Sequence, residues 1–153
     1  MAGTLTAQEV FAFLLPEQVN AISEAAERVS LKAGETVYSK GDKAHSFFVV
    51  LDGEVTLRLP GRGGVSVVID QLRRGAVFGG CIGYPRESYA LTAQCSADAH
   101  LLKIRGSALK SLMERDPRMG YHLQGYISNA YFTRYIDTMK KLQAIVMNLP
   151  VEA

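Results

Sequence analysis

Phe47-Phe48-Val49-Val50-Leu51-Asp52-Gly53-Glu54-Val55 joins an apolar run, a tight-turn signal and the start of a second run. Asp52-Gly53 suits a turn between two strands, because glycine accepts positive φ there. After it, Val55, Leu57 and Leu59 alternate with Thr56 and Arg58, the period of a half-buried strand. The same texture extends outward in both directions. Upstream lie Lys32, Ala33-Gly34-Glu35-Thr36-Val37 and Lys40-Gly41-Asp42; downstream lies Leu72-Arg73-Arg74-Gly75-Ala76-Val77-Phe78-Gly79. Between the glycines, the runs Thr36–Tyr38, Phe47–Leu51, Val55–Leu59, Val65–Ile69, Tyr89–Cys95 and Leu101–Ile104 read as strands. Pro60 to Gly64 reads as a hairpin tip. Many short strands with regular glycine turns predict an antiparallel sandwich or barrel over residues 30–105.

The flanks are helical. Thr6-Ala7-Gln8-Glu9 is a start signal before Val10, Phe11, Phe13 and Leu14, and Pro16 suits the first turn of a second helix. Val19, Ile22, Ala26 and Val29 recur at three and four, so residues 1–29 are expected to hold helices with one packed face. From 106 to 149 the pattern is helical again. Ser107 is expected to cap a short helix carrying Leu109, Leu112 and Met113, and Asp116-Pro117 to end it and open another. Ile127, Tyr131, Tyr135, Met139, Leu142 and Val146 then form a stripe, broadened by Ala130, Phe132 and Ile136. A helix of about thirty residues is roughly 45 Å long, longer than a small β domain covers. Its excess apolar surface is expected to meet a second copy of the chain; the alternative is a helix that folds back on its own domain.

Length and composition set outer limits. The chain has 153 residues, 17 Lys plus Arg against 15 Asp plus Glu, and 48% apolar residues. That fits one globular domain and is too balanced for a dedicated nucleic-acid binder. The longest apolar run, Val10 to Leu15, is far short of the roughly 20 residues that span a bilayer. The N-terminus lacks the pattern of a signal peptide. Cys81 and Cys95 are the only cysteines, so a disulfide scaffold is not expected and a cytoplasmic location is. His45, His100 and His122 form no zinc-ligand spacing with them. Nucleophile elbow, phosphate loop and paired-histidine motifs are absent, which argues against an enzyme.

In its order and spacing, the glycine framework resembles the cyclic nucleotide-binding domain of catabolite-activator and FNR-type regulators. The resemblance covers about residues 8–146. It implies an eight-stranded β-roll (a jelly roll) flanked by N-terminal helices and a long C-terminal helix. It also implies a phosphate-binding cassette after the Phe-Gly pair, in which backbone N–H groups cradle a cyclic phosphate. An arginine neutralises that phosphate and a glutamate takes the ribose hydroxyl.

The cassette here is Phe78-Gly79-Gly80-Cys81-Ile82-Gly83-Tyr84-Pro85-Arg86-Glu87-Ser88-Tyr89-Ala90. Gly80 stands where the glutamate is expected, Tyr89 at the arginine position and Ala90 at the Ser/Thr position. A charge-assisted contact contributes roughly 1.5–3 kcal/mol. Losing two weakens binding by about 10²–10⁴-fold if the losses add. The expected ligand-binding residues are Phe78, Gly79, Gly80, Cys81, Ile82, Gly83, Arg86, Tyr89 and Ala90. Asn129, Tyr131 and Thr133 are expected to close over the base from the long helix. Arg73-Arg74 and Lys140-Lys141 read as solvated charges.

The function expected is a regulatory sensor for a cyclic nucleotide, cAMP or cGMP, that works by movement of a C-terminal helix which also dimerises. A second reading is a pseudo-sensor that binds no nucleotide and presents its surface to a protein partner. A third makes Cys81 a redox or haem site. Regulators of this family usually carry a helix-turn-helix domain after the long helix. The chain stops at Ala153, about where that domain would begin, so a stand-alone sensor or a truncated regulator is expected, with no specific DNA binding by these residues.

Overall fold

A computed structural model describes residues 3–80 and 88–148. Thr6 opens α1 (Ala7–Val10) with a reciprocal cap: its Oγ1 accepts from the Glu9 amide at 3.3 Å, and its own amide donates to Glu9 Oε2 at 2.6 Å. Pro16 takes the first position of α2 (Pro16–Glu24), which buries Val19 and Ile22. The expected helical face does not continue to Val29. The chain leaves the helix after Glu24, and Ala26–Leu31 forms β1. Two apolar residues, Ala26 and Val29, are too few to separate a helix from a strand by period; here a six-residue antiparallel ladder, Ala26↔Ile104 to Leu31↔Ala99, decides for the strand.

The remaining strands are β2 (Thr36–Tyr38), β3 (Ser46–Asp52), β4 (Val55–Pro60), β5 (Ser66–Leu72), β6 (Val77–Phe78), β7 (Thr92–Cys95) and β8 (Ala99–Arg105). They form two four-stranded antiparallel sheets, β1-β8-β3-β6 and β2-β7-β4-β5. This is the β-roll that the sequence resemblance implies. The hairpin tip falls where expected, as a 3-10 turn at Arg62–Gly64 between β4 and β5.

β3 is apolar from Phe47 to Leu51 because both of its faces are covered. Phe48 and Val50 point between the sheets, into a core shared with Tyr38, Leu57, Leu72, Phe78 and Tyr89. Phe47, Val49 and Leu51 point the other way, into a core built with Phe11, Ile22, Ile104, Leu109, Leu123 and Ile127. That second core fixes the helices to the outside of the roll.

β8 runs directly into α3 (Gly106–Arg115), with Arg105 at the cap position and no capping side chain. Ser107 is therefore already inside the first turn and is not the expected cap. Asp116 and Pro117 behave as expected: Asp116 Oδ1 accepts from the Met119 amide at 3.1 Å, and Pro117 begins α4 (Pro117–Met147). α4 is unbroken for 31 residues and does not fold back. Its first turns bury Met119, Leu123 and Ile127, whereas Phe132, Tyr135, Met139, Leu142, Ile145 and Val146 are exposed on this chain.

Candidate ligand-binding site

The site is built from the turn that follows β6. Gly79 and Gly80 adopt φ of +100° and +154°, backbone conformations that favour glycine. At Gly79 glycine is also required by space, since a Cβ would lie 2.8 Å from the Phe48 ring and 3.0 Å from the Ser46 carbonyl. Among the described residues, a Cβ at Gly80 would meet nothing within 4 Å.

What meets the Gly80 backbone comes from α4. The Tyr131 hydroxyl accepts from the Gly80 amide at 3.0 Å and donates to the Gly80 carbonyl, satisfying both groups at once. One turn further along, Arg134 Nε donates to Asp70 Oδ2 of β5 at 3.0 Å, and its Nη2 donates to the Val77 carbonyl of β6 at 2.8 Å. The guanidinium carbon stands 5.1 Å from the centre of the Tyr131 ring, a cation–π arrangement. Side-chain exposure is 17% for Arg134 and 35% for Asp70, so this ion pair is shielded more than a surface pair. Tyr126 donates to the Gly75 carbonyl at 2.8 Å, and Lys141 to the Ile69 carbonyl at 3.0 Å. Four α4 side chains thus tie the helix to β5, β6 and the glycine turns beside them.

Beneath the turn, the roll interior is aromatic. Tyr38 stacks on Tyr89 with centroids 3.6 Å apart, and Phe48 on Phe78 at 5.2 Å. The Tyr89 hydroxyl donates to the Ser46 carbonyl at 2.9 Å and lies 3.2 Å from the Ser46 amide, which donates to it. Burial pushes the Tyr38 and Tyr89 phenols above their ordinary range, so both stay neutral. The residue at the expected arginine position therefore carries no charge, and its hydroxyl is committed to β3.

The expected site residues are distributed unevenly. Phe78, Gly79 and Gly80 meet at the turn; Phe78 and Tyr89 are buried in the roll, and Ala90 is exposed beside it. Cys81, Ile82, Gly83 and Arg86 lie outside the described residues. Of the three α4 residues expected to close over a base, Tyr131 bonds the Gly80 backbone, whereas Asn129 and Thr133 are solvent-exposed. Arg134 and Asp70 were not anticipated. The sequence holds one signal for Arg134: it is the only Asp, Glu, Lys or Arg between Arg118 and Asp137, and it follows Tyr131 by three.

The expected surface arginine Arg73 is exposed and pairs with Glu54 at 3.0 Å. Ser96, first, and then Arg73 hold the Glu54 carboxyl below its usual range. Among the described residues no three His, Cys, Asp or Glu converge as a metal site, and no helix is long and apolar enough to cross a membrane.

Three kinds of similarity bear on this geometry. Residues 28–116 match the family described as cyclic nucleotide-binding domain. "Lysophospholipase nte1" of Aspergillus oryzae is 27% identical over 113 residues, which is 74% of this chain but 7% of the fungal protein. The chain thus spans a small fraction of that relative. Among solved structures, the c-di-GMP-responsive global regulator CLP of Xanthomonas campestris superimposes with a TM-score of 0.80 at 15% identity, covering 87% of this chain and 65% of that one. The catabolite activator protein of Thermus thermophilus gives 0.71 at 22% identity, covering 88% and 62%. At such identities the structural likeness establishes the fold.

Proposed function

The chain belongs to the cyclic nucleotide-binding domain family, and we propose that it is a regulatory sensor whose moving part is α4. The observation that carries this reading is the Tyr131 hydroxyl on the Gly80 amide. In such a fold a glycine-led turn offers its N–H groups to an anionic phosphate. Here α4 uses one of those groups, so ligand and helix compete for it. A ligand that takes the Gly80 N–H releases Tyr131 and biases α4 between two positions. The exposed stripe of α4 carries the change to a second copy of the chain in a homodimer.

Family and fold are those of a ligand-binding regulatory domain, and the hydrolase named among the relatives contributes only this module to the match. A cyclic nucleotide, cAMP or cGMP, is the ligand class we assign. The likeness to a c-di-GMP-responsive regulator adds the cyclic dinucleotide as a third probe.

Calorimetric titration of the protein with cAMP, cGMP and c-di-GMP tests the reading. Saturable binding to one of them is expected. Tyr131→Phe frees the Gly80 amide, and since a hydrogen bond contributes about 1 kcal/mol, affinity is expected to rise about 5-fold. The stacked Tyr38–Tyr89 pair in the roll interior favours a second reading, a module that binds protein and no nucleotide. Absence of heat with all three ligands, for the parent and Tyr131→Phe alike, decides for that second reading.

A further inference from the structure

The turn after β6 offers the Gly80 amide, yet Tyr89, the residue that the sequence resemblance sets at the arginine position, is neutral and bonded to Ser46. A phosphate bound on amides alone, in a partly buried site, leaves its charge uncompensated. A cation does stand beside the turn, but it arrives from the helix. Arg134 touches the Val77 carbonyl, two residues before Gly79, and stands over the ring whose hydroxyl holds Gly80. Its other contact is the Asp70 carboxylate, which satisfies one edge of the guanidinium fork.

We infer that Arg134 is the residue that receives the anionic phosphate of the ligand, and that Asp70 holds it in place until the ligand arrives. The inference rests on the nucleotide reading above. A phosphate on the Gly80 amide lies where Tyr131 now sits, within reach of the guanidinium above that ring. Arg134 then exchanges a carboxylate for a phosphate, both of which its planar fork fits. The exchange couples ligand charge to α4, because the same side chain carries both contacts. It also sets specificity: an uncharged nucleoside cannot draw Arg134 away from Asp70.

The test is calorimetry with cAMP, cGMP, c-di-GMP and uncharged adenosine and guanosine, on the parent and on Arg134→Gln, Asp70→Asn and Arg86→Gln. Circular dichroism confirms that each variant is folded. Arg134→Gln is expected to weaken the bound nucleotide about 10–100-fold and to leave the matching nucleoside unchanged, collapsing the preference for the phosphate. A residue that merely tethers α4 shifts nucleotide and nucleoside together. Asp70→Asn removes the competing carboxylate and is expected to strengthen nucleotide binding about 3-fold or more. The gain is expected to vanish in the Arg134→Gln background. Nucleotide binding that survives Arg134→Gln unchanged, or that is lost in Arg86→Gln instead, overturns the role of Arg134 and leaves the sensor reading intact. No nucleotide binding to the parent or to Asp70→Asn overturns both.

Discussion

Gly53 shows how much one residue of the glycine framework decides. It has φ of +88°, and a Cβ there would lie 2.1 Å from the Asp98 carbonyl and 2.7 Å from Ala99 Cα. The β3–β4 turn can press against the start of β8 only because no side chain intervenes. Gly34 has a similar φ, +91°, but its Cβ would meet nothing within 4 Å. The pair separates two costs. Gly34→Ala carries only the conformational term, about 1–2 kcal/mol. Gly53→Ala adds overpacking against backbone, for a total of about 2–5 kcal/mol. Urea denaturation of the two variants is expected to give that order, and equal losses would show that the contact with Asp98 is relieved cheaply. The same contrast explains what was legible at the site. Gly53, Gly75 and Gly79 are readable because their demand for positive φ is local. Tyr131 is separated by 51 residues from the Gly80 amide it meets, and Arg134 by 64 from Asp70. Only the folded roll brings these together, so the family resemblance, which places residues on α4 by approximate position alone, gives Asn129 and Thr133 equal standing with Tyr131.

Elements declared themselves when they were long or carried a punctuating residue. α4 begins at Asp116-Pro117 as the sequence dictates, and the strands β2, β3, β4, β5, β7 and β8 coincide with apolar runs to within a few residues. β6 escaped notice because two residues have no period to read; it exists through the pairings Phe48↔Phe78 and Val49↔Val77. β1 was misread because its partner β8 lies some seventy residues away. The cap of α4 also gives a pH-dependent prediction. The Asp116 carboxyl is held below its usual range, first by the Met119 amide and then by the Gln18 side chain, which donates to it at 2.9 Å. Its folded value thus lies below its unfolded value. The stabilisation is present above the ordinary aspartate range and is lost as pH falls through the lowered folded value. Asp116→Ala is accordingly expected to lower Tm near neutral pH, with the gap to the parent closing in strong acid. A gap that stays constant with pH would assign the effect to the side chain's packing instead of its charge.

At the scale of the molecule, α4 has two sides with different fates. Tyr126, Tyr131, Arg134 and Lys141 bind the roll, while Phe132, Tyr135, Met139, Leu142, Ile145 and Val146 stay exposed, Phe132 by 64% and Leu142 by 49%. A helix about 46 Å long cannot be covered by one small roll, and apolar burial yields about 25 cal/mol per Å². Pairing two such helices through the exposed side would bury most of that surface. Sedimentation velocity is expected to show the parent as a dimer and the double variant Met139→Glu, Leu142→Glu as a folded monomer, because a dimer would bury four like charges, two from each chain, about the two-fold axis. A parent chain that sediments as a monomer at concentrations of about 100 μM, where a Kd of about 1 μM leaves few free chains, would refute pairing. On the function proposed above, the two sides of α4 act together. Moving the helix at Gly80 moves the stripe at Leu142, so ligand affinity is expected to differ between the dimeric parent and the monomeric variant, which retains Tyr131 and Arg134. With one site per protomer, saturating ligand is expected to change the dimerisation constant by the square of that affinity ratio. Equal affinities in the two forms would mean that α4 is a rigid strut and that the site signals by another route.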